Sequence, residues 1–142
     1  ISIKLYEKIK KITPERKKAF EYVEKFDFNA WSKTLREFLG KGAESMIALE
    51  EKERKYDIES HKKRFDIIAG KWNEIQSIIE EELPSIEELQ SLYTKVGIPG
   101  TVAEIGLDED ILPLTFKASK DIRDKYVLPR LCWDLGIIDE II

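Results

Sequence analysis

The sequence of 142 residues has one cysteine (Cys132), one histidine (His61) and one methionine (Met46). A lone thiol cannot make an internal disulfide or a cysteine-rich zinc site. Any centre using histidine as ligand or base would have to use His61. No apolar run approaches the roughly 18–20 residues that span a bilayer, and no signal-peptide pattern opens the chain. Lysines and glutamates are interleaved, so there is neither a basic stripe for a phosphate backbone nor a polybasic membrane anchor. Nucleic acid and membrane are therefore not expected partners, and the chain reads as cytoplasmic. Alternating apolar and polar runs bounded by turns are nearly absent, which argues against strands. Also missing are Gly-x-Gly-x-x-Gly, His-Glu-x-x-His and a nucleophile elbow.

What is present is a globular composition: 42% hydrophobic and 37% charged residues with a formal net charge of −4. A domain of this length buries roughly 68–70% of its unfolded-state surface, enough for a real core. Residues 1–142 are read as a single helical domain, all-α, a multi-helix orthogonal bundle of eight or nine helices. Ile1, Leu5, Ile9 and Ile12 already follow a helical period. A chain that opens inside a helix is expected to be part of something longer.

The remaining helices follow from spacing and punctuation. Thr13 before Pro14 predicts the N-cap of a second helix, with Ala19, Phe20, Val23 and Phe26 as its apolar side. Asp27 and Asn29 interrupt it, and Trp31, Leu35, Phe38 and Leu39 form the stripe of a third that stops near Gly40. A fourth is expected from Ala43 through Met46 and Leu49 to Tyr56. Ile58, His61, Phe65, Ile68, Trp72, Ile75 and Ile79 recur at steps of three and four, which predicts one long helix ending before Pro84. Ser85 and Glu88 have capping-box spacing for the next, which runs through Ile86, Leu89, Leu92, Tyr93 and Val96 to Gly97. Thr101 and Glu104 repeat that spacing over a short turn closed by Gly106. Asp108 is expected to cap a helix through Ile111, Leu112, Thr115 and Ile122, with Pro113 in its first turns. The last helix carries Leu128, Leu131, Cys132 and Leu135 and stops at Gly136.

Each residue that chemistry could use has a plainer structural reading. His61 has no second ligand or orienting group in view and reads as a packed structural side chain. Glu80, Glu81 and Glu82 point about 100° apart on a helix, so they cannot converge on one ion and read as a solvated helix end. Gly40 to Ser45, GKGAES, lacks the full phosphate-loop pattern and reads as a turn between helices. Trp31, Trp72 and Trp133, with Phe20, Phe26, Phe28, Phe38, Phe65 and Phe116, have the spacing of a bundle core. Cys132 lies in an apolar segment and reads as an inert buried thiol. No residue is assigned a catalytic, cofactor-binding or metal-binding role.

The C-terminal third, LPSIEELQSLYTKVGIPGTVAEIGLDEDIL followed by KASKDIRDKYVLPRLCWDLGIIDEI, resembles the end of the sn-glycerol-1-phosphate dehydrogenase family, relatives of iron-type alcohol dehydrogenases, glycerol dehydrogenase and dehydroquinate synthase. The matching features are Leu83-Pro84, Gly97 to Pro99, Glu104-Ile105-Gly106, Ile122 to Tyr126 and Leu135-Gly136; RFDIIAGKWNEI, residues 64–75, is compatible with the long helix of the same domain. The resemblance implies a dehydroquinate synthase-like helical C-terminal domain, partnered by an N-terminal nucleotide-binding domain of the same parent chain. It also implies hydride transfer between NAD(P) and dihydroxyacetone phosphate or glycerol-1-phosphate, with a divalent metal held by an aspartate and two histidines. None of those ligands matches a position here, so this portion alone is expected to be inactive and to bind neither group. Val127 stands where the family commonly has threonine and Arg130 where it commonly has an acidic residue. Arg123 and Asp124 are expected to end one helix and Tyr126 to start the next. The alternative from a different class is a free-standing helical interaction module with aromatic residues such as Trp133 exposed to a partner. If a missing half covers one face, the chain is expected to expose apolar surface and self-associate as a homo-oligomer.

Overall fold

Helix follows helix in a computed structural model that describes residues 2–141. The helices are α1 (Ser2–Ile9), α2 (Arg16–Glu24), α3 (Phe28–Leu39), α4 (Ala43–Lys52), α5 (Ile58–Gly70), α6 (Trp72–Glu82), α7 (Ile86–Val96), α8 (Leu112–Ser119) and α9 (Leu128–Asp134). Short 3-10 turns occupy Gly40–Gly42, Ala103–Ile105 and Glu109–Ile111, and there is no strand among the described residues. The protein is all-α. Ile1, expected on the first helix, lies outside the described residues.

Several boundaries depart from the sequence expectation for local reasons. The second helix begins at Arg16, two residues after Pro14, with Glu15 in the N-cap position and no side-chain cap; Thr13 does not cap it. Asp27 does cap α3, accepting from the N–H groups of Asn29 and Ala30. The fourth helix stops at Lys52, because Arg54 turns to φ 50 and the chain reverses before Tyr56. The long helix expected from Ile58 to Ile79 is two helices. Gly70 weakens helix propensity and Lys71, at φ −108 and ψ 14, leaves the helical region, so α6 starts afresh at Trp72. The seventh helix has the predicted capping box of Ser85 and Glu88 and ends on Gly97 at φ 68, with Ile98 N–H donating to the Tyr93 carbonyl. Asp108 caps the Glu109–Ile111 turn rather than a long helix. The eighth helix starts at Leu112, with Pro113 in its first turn, and ends at Ser119, short of Ile122. Arg123 and Asp124 consequently lie in a bend between helices, not at a helix end.

The core gathers around α9. Every residue from Leu128 to Ile138 is buried, and α9 packs against α2, α5 and α8. Gly136, at φ 70, ends it where a side chain has no room: a Cβ there would lie 3.0 Å from Ala19 Cα and 3.1 Å from the Lys18 carbonyl oxygen. Trp133 is fully buried, and the rings of Phe26, Tyr56 and His61 meet it edge-on with centroids at 5.4, 5.0 and 5.5 Å. It is therefore not a partner surface, contrary to the interaction-module expectation for that residue. A second, smaller core joins Leu35, Ala43, Met46, Ile47 and Ala118. Trp72 and Gln76 tie α6 to the turn after α1, donating to the Ile12 and Lys10 carbonyls at 2.9 and 3.0 Å.

Candidate functional site

Two features stand out from the helical packing: a buried cluster of charges and an arm with no fully buried residue. The cluster starts from the short apolar run Val127 to Gly136, which carries Arg130 and Asp134 four residues apart and hence on one face. Val127, in the N-cap position, offers no side-chain acceptor, and Pro129 in the first turn has a preset helical φ. Because all of α9 is buried, both charges must find partners inside the protein.

Arg130 Nη2 donates to Asp121 at 2.6 Å and to Glu50. Its guanidinium carbon lies 4.7 Å from the centre of the Tyr56 ring and 5.2 Å from that of Trp133. Asp121, fully buried, also accepts from Trp31 Nε1 at 2.7 Å, the Tyr56 hydroxyl at 2.8 Å and Lys120 Nζ at 3.2 Å. Lys55 donates to Glu50 at 2.8 Å, and the Lys120 ammonium sits 3.7 Å from the centre of the Trp31 ring. Burial raises the Glu50 pKa against the pull of Arg130 and Lys55. It lowers that of Lys120 to about 8, with Asp121 opposing the shift.

One turn further along α9, Asp134 accepts from Arg64 Nη2 at 3.0 Å and from the Tyr126 hydroxyl at 2.8 Å. His61 is buried on α5, and its Nε2 donates to the Asp134 carbonyl oxygen at 2.9 Å, since a carbonyl can only accept. Its Nδ1 has no hydrogen-bond partner. Burial lowers the imidazole pKa, so the neutral ring is favoured in the folded state. These charged groups are bonded to one another rather than directed at open space. The cluster joins α3, α4, α5, α9 and the turn after α8 and has the character of an interior clamp.

Beside it lies a groove of about 510 Å³, with Tyr22, Phe26, Trp31, Lys25, Lys117 and Lys120 among its lining residues. Lys117 pairs with Asp139, which also accepts from the Tyr22 hydroxyl at 2.9 Å.

The arm runs from the end of α6 through α7 to the Glu109–Ile111 turn. No residue of α7 is buried, and large apolar side chains along the arm face solvent: Leu92 is 50% exposed, Val96 66%, Ile98 49% and Ile105 55%. Glu104 receives the Gly100 N–H at 2.8 Å, and Gly106 closes the following turn at φ 75.

Of the residues weighed on sequence grounds, Glu80, Glu81 and Glu82 are exposed, and GKG of 40–42 forms the turn between α3 and α4. Cys132 is fully buried, and burial pushes its thiol up to about 12. Among the described residues, no three His, Cys, Asp or Glu side chains are grouped to hold a metal. Sequence reasoning missed the Arg130 cluster, although a signal was there: Arg130 and Asp134 are charges set inside an otherwise apolar run.

Comparison of the chain with protein-family models, with curated proteins and with solved structures finds no match.

Proposed function

We propose that this chain is the helical C-terminal domain of an NAD(P)- and metal-dependent polyol-phosphate dehydrogenase of the sn-glycerol-1-phosphate dehydrogenase type. Its fold would be the dehydroquinate synthase-like helical domain of eight or nine helices, and its setting cytoplasmic. One observation carries the reading: among the positions that carry the resemblance, three glycines and two side chains each have a structural duty. Gly97, Gly106 and Gly136 take positive φ. Glu104 holds the Gly100 N–H, and Tyr126 reaches across to Asp134. Such duties support reading the matched segment as part of a domain's structural signature.

The residues described here do not fit the metal of that family, since no three potential ligands come together and His61 is held in the core between Asp134 and aromatic rings. On this reading the metal and the nicotinamide belong to the rest of the parent enzyme, and this domain supplies a rigid wall of the cleft. The test is an assay of the intact parent protein with dihydroxyacetone phosphate and reduced nicotinamide cofactor. Chelator-sensitive turnover is expected. An intact protein that binds no nicotinamide would overturn the reading.

A second reading, a free-standing helical interaction module, is favoured by the exposed apolar side of α7. A source protein with no nucleotide-binding domain would select it.

A further inference from the structure

The three tryptophans are buried or half-buried, and burial obliges an indole N–H to find an acceptor. Trp31 donates to Asp121 at 2.7 Å and Trp72 to the Ile12 carbonyl at 2.9 Å. Trp133 is fully buried, yet its Nε1 has no acceptor in the protein. Of the buried side-chain polar atoms without a partner among the described residues, this is the one whose residue lines the groove of about 510 Å³. A donor left unmet in a buried place costs stability, which an acceptor brought by a ligand restores.

The walls of the groove define what can meet it. Tyr22, Phe26 and Trp31 line it beside Trp133, and the Tyr22 and Phe26 rings meet Trp133 edge-on with centroids at 6.4 and 5.4 Å. A flat ring entering there finds aromatic surfaces to pack on, in a volume of the size that small-molecule sites have. Both signs of charge line the groove, and most are already engaged: Lys117 with Asp139, Lys120 with Asp121, and Asp27 with the N–H groups at the start of α3. A lining balanced in this way favours neither an anion nor a cation, and a charged ligand would give up hydration for no counter-ion.

We propose that this groove binds a small, flat, uncharged aromatic molecule bearing a carbonyl oxygen, its ring against the aromatic walls and its oxygen accepting from Trp133 Nε1. The site rests on the groove and the unmet donor, and it does not depend on which enzyme, if any, the parent chain forms.

The test is titration of the isotope-labelled chain, followed at the indole N–H resonances by NMR, with three probes of similar size. Acetophenone has the proposed chemistry, ethylbenzene has the shape without the oxygen, and benzoate has the oxygen with a charge. Trp133 is identified by its contacts to the Phe26 and Tyr56 rings. Acetophenone is expected to move the Trp133 indole proton downfield with saturation and to leave Trp72, which is outside the groove, unmoved. It should bind about two- to tenfold more tightly than ethylbenzene, the worth of one hydrogen bond, and more tightly than benzoate. No saturable shift at Trp133, equal binding of ethylbenzene, or tighter binding of benzoate overturns the proposal.

Discussion

Helices α7 and α9 stand at opposite limits of the same molecule. The first is longer, better capped and amphipathic, yet none of its residues is buried; the second has seven residues, no side-chain cap and two charges, yet every residue is buried. Capping and propensity decide that a segment is helical, and α7 has both. What decides burial is the surface available to receive the helix. The ninth helix receives α2, α5 and α8 and needs five charged or polar groups from elsewhere to neutralise it. The seventh has no such reception within its own chain, so its apolar residues remain available for another surface.

That contrast predicts steep energetic asymmetry. The largest effect is expected from Arg130→Ala, which leaves Glu50 and Asp121 buried without their guanidinium and should cost about 3–5 kcal/mol in urea unfolding. A loss under 1 kcal/mol would show that the cluster does not clamp the core. Next comes the same substitution made in the two regions. Gly136→Ala combines a positive φ with backbone atoms 3.0–3.1 Å from the added methyl and should cost roughly 2–4 kcal/mol. Gly97→Ala has the same sign of φ but open space around it, so about 1 kcal/mol is expected. Equal costs would remove the distinction between body and arm.

A pH experiment probes the body alone. Lys120 has a folded pKa of about 8, lowered from 10.5, so between these values the unfolded chain binds more protons than the folded one. Its contribution is fully present above the unfolded pKa and is lost as pH falls toward 8. Measured from pH 8 to 9.5, before unfolded tyrosines ionise, the stability of the wild type relative to Lys120→Met should rise with pH, by at most about 1.4 kcal/mol per unit. A flat difference would mean that Lys120 titrates normally when folded. The smallest effect belongs to the arm: Leu92→Ser should change the unfolding free energy of the monomer by no more than about 0.5 kcal/mol, as measured in dilute solution by denaturant titration.

Much of the helical framework was legible before any coordinates. The capping box at Ser85 and Glu88, the stops at Gly40, Gly97 and Gly136, and the inward stripe of Leu128, Leu131 and Leu135 all follow from side-chain chemistry acting over a few residues. The break at Lys71 was not, because the apolar period runs unbroken through it and Gly70, which weakens helix propensity, is its one local sign. Thr13 failed as a cap because α2 starts only at Arg16, with Glu15 in the N-cap position.

The Arg130 cluster shows where local reading stops. Glu50, Lys55, Tyr56, Asp121 and Arg130 are spread over 81 positions, and their spacing contains no hint of contact. Trp133 was expected at a partner surface in one reading and lies instead at the centre of the aromatic core. His61 could be placed on an inward seam by its helical spacing, but its hydrogen bond to the Asp134 carbonyl joins residues 73 positions apart.

By itself, then, the sequence determined an all-α chain, the capping box at Ser85 and Glu88, the glycine stops and the apolar stripes of its helices, because these depend on interactions within about one helical turn. Only the tertiary structure decided which stripe is buried, which charges are paired in the core and which apolar side is left facing water. Those outcomes depend on desolvation, and desolvation is a property of what comes together from distant parts of the chain.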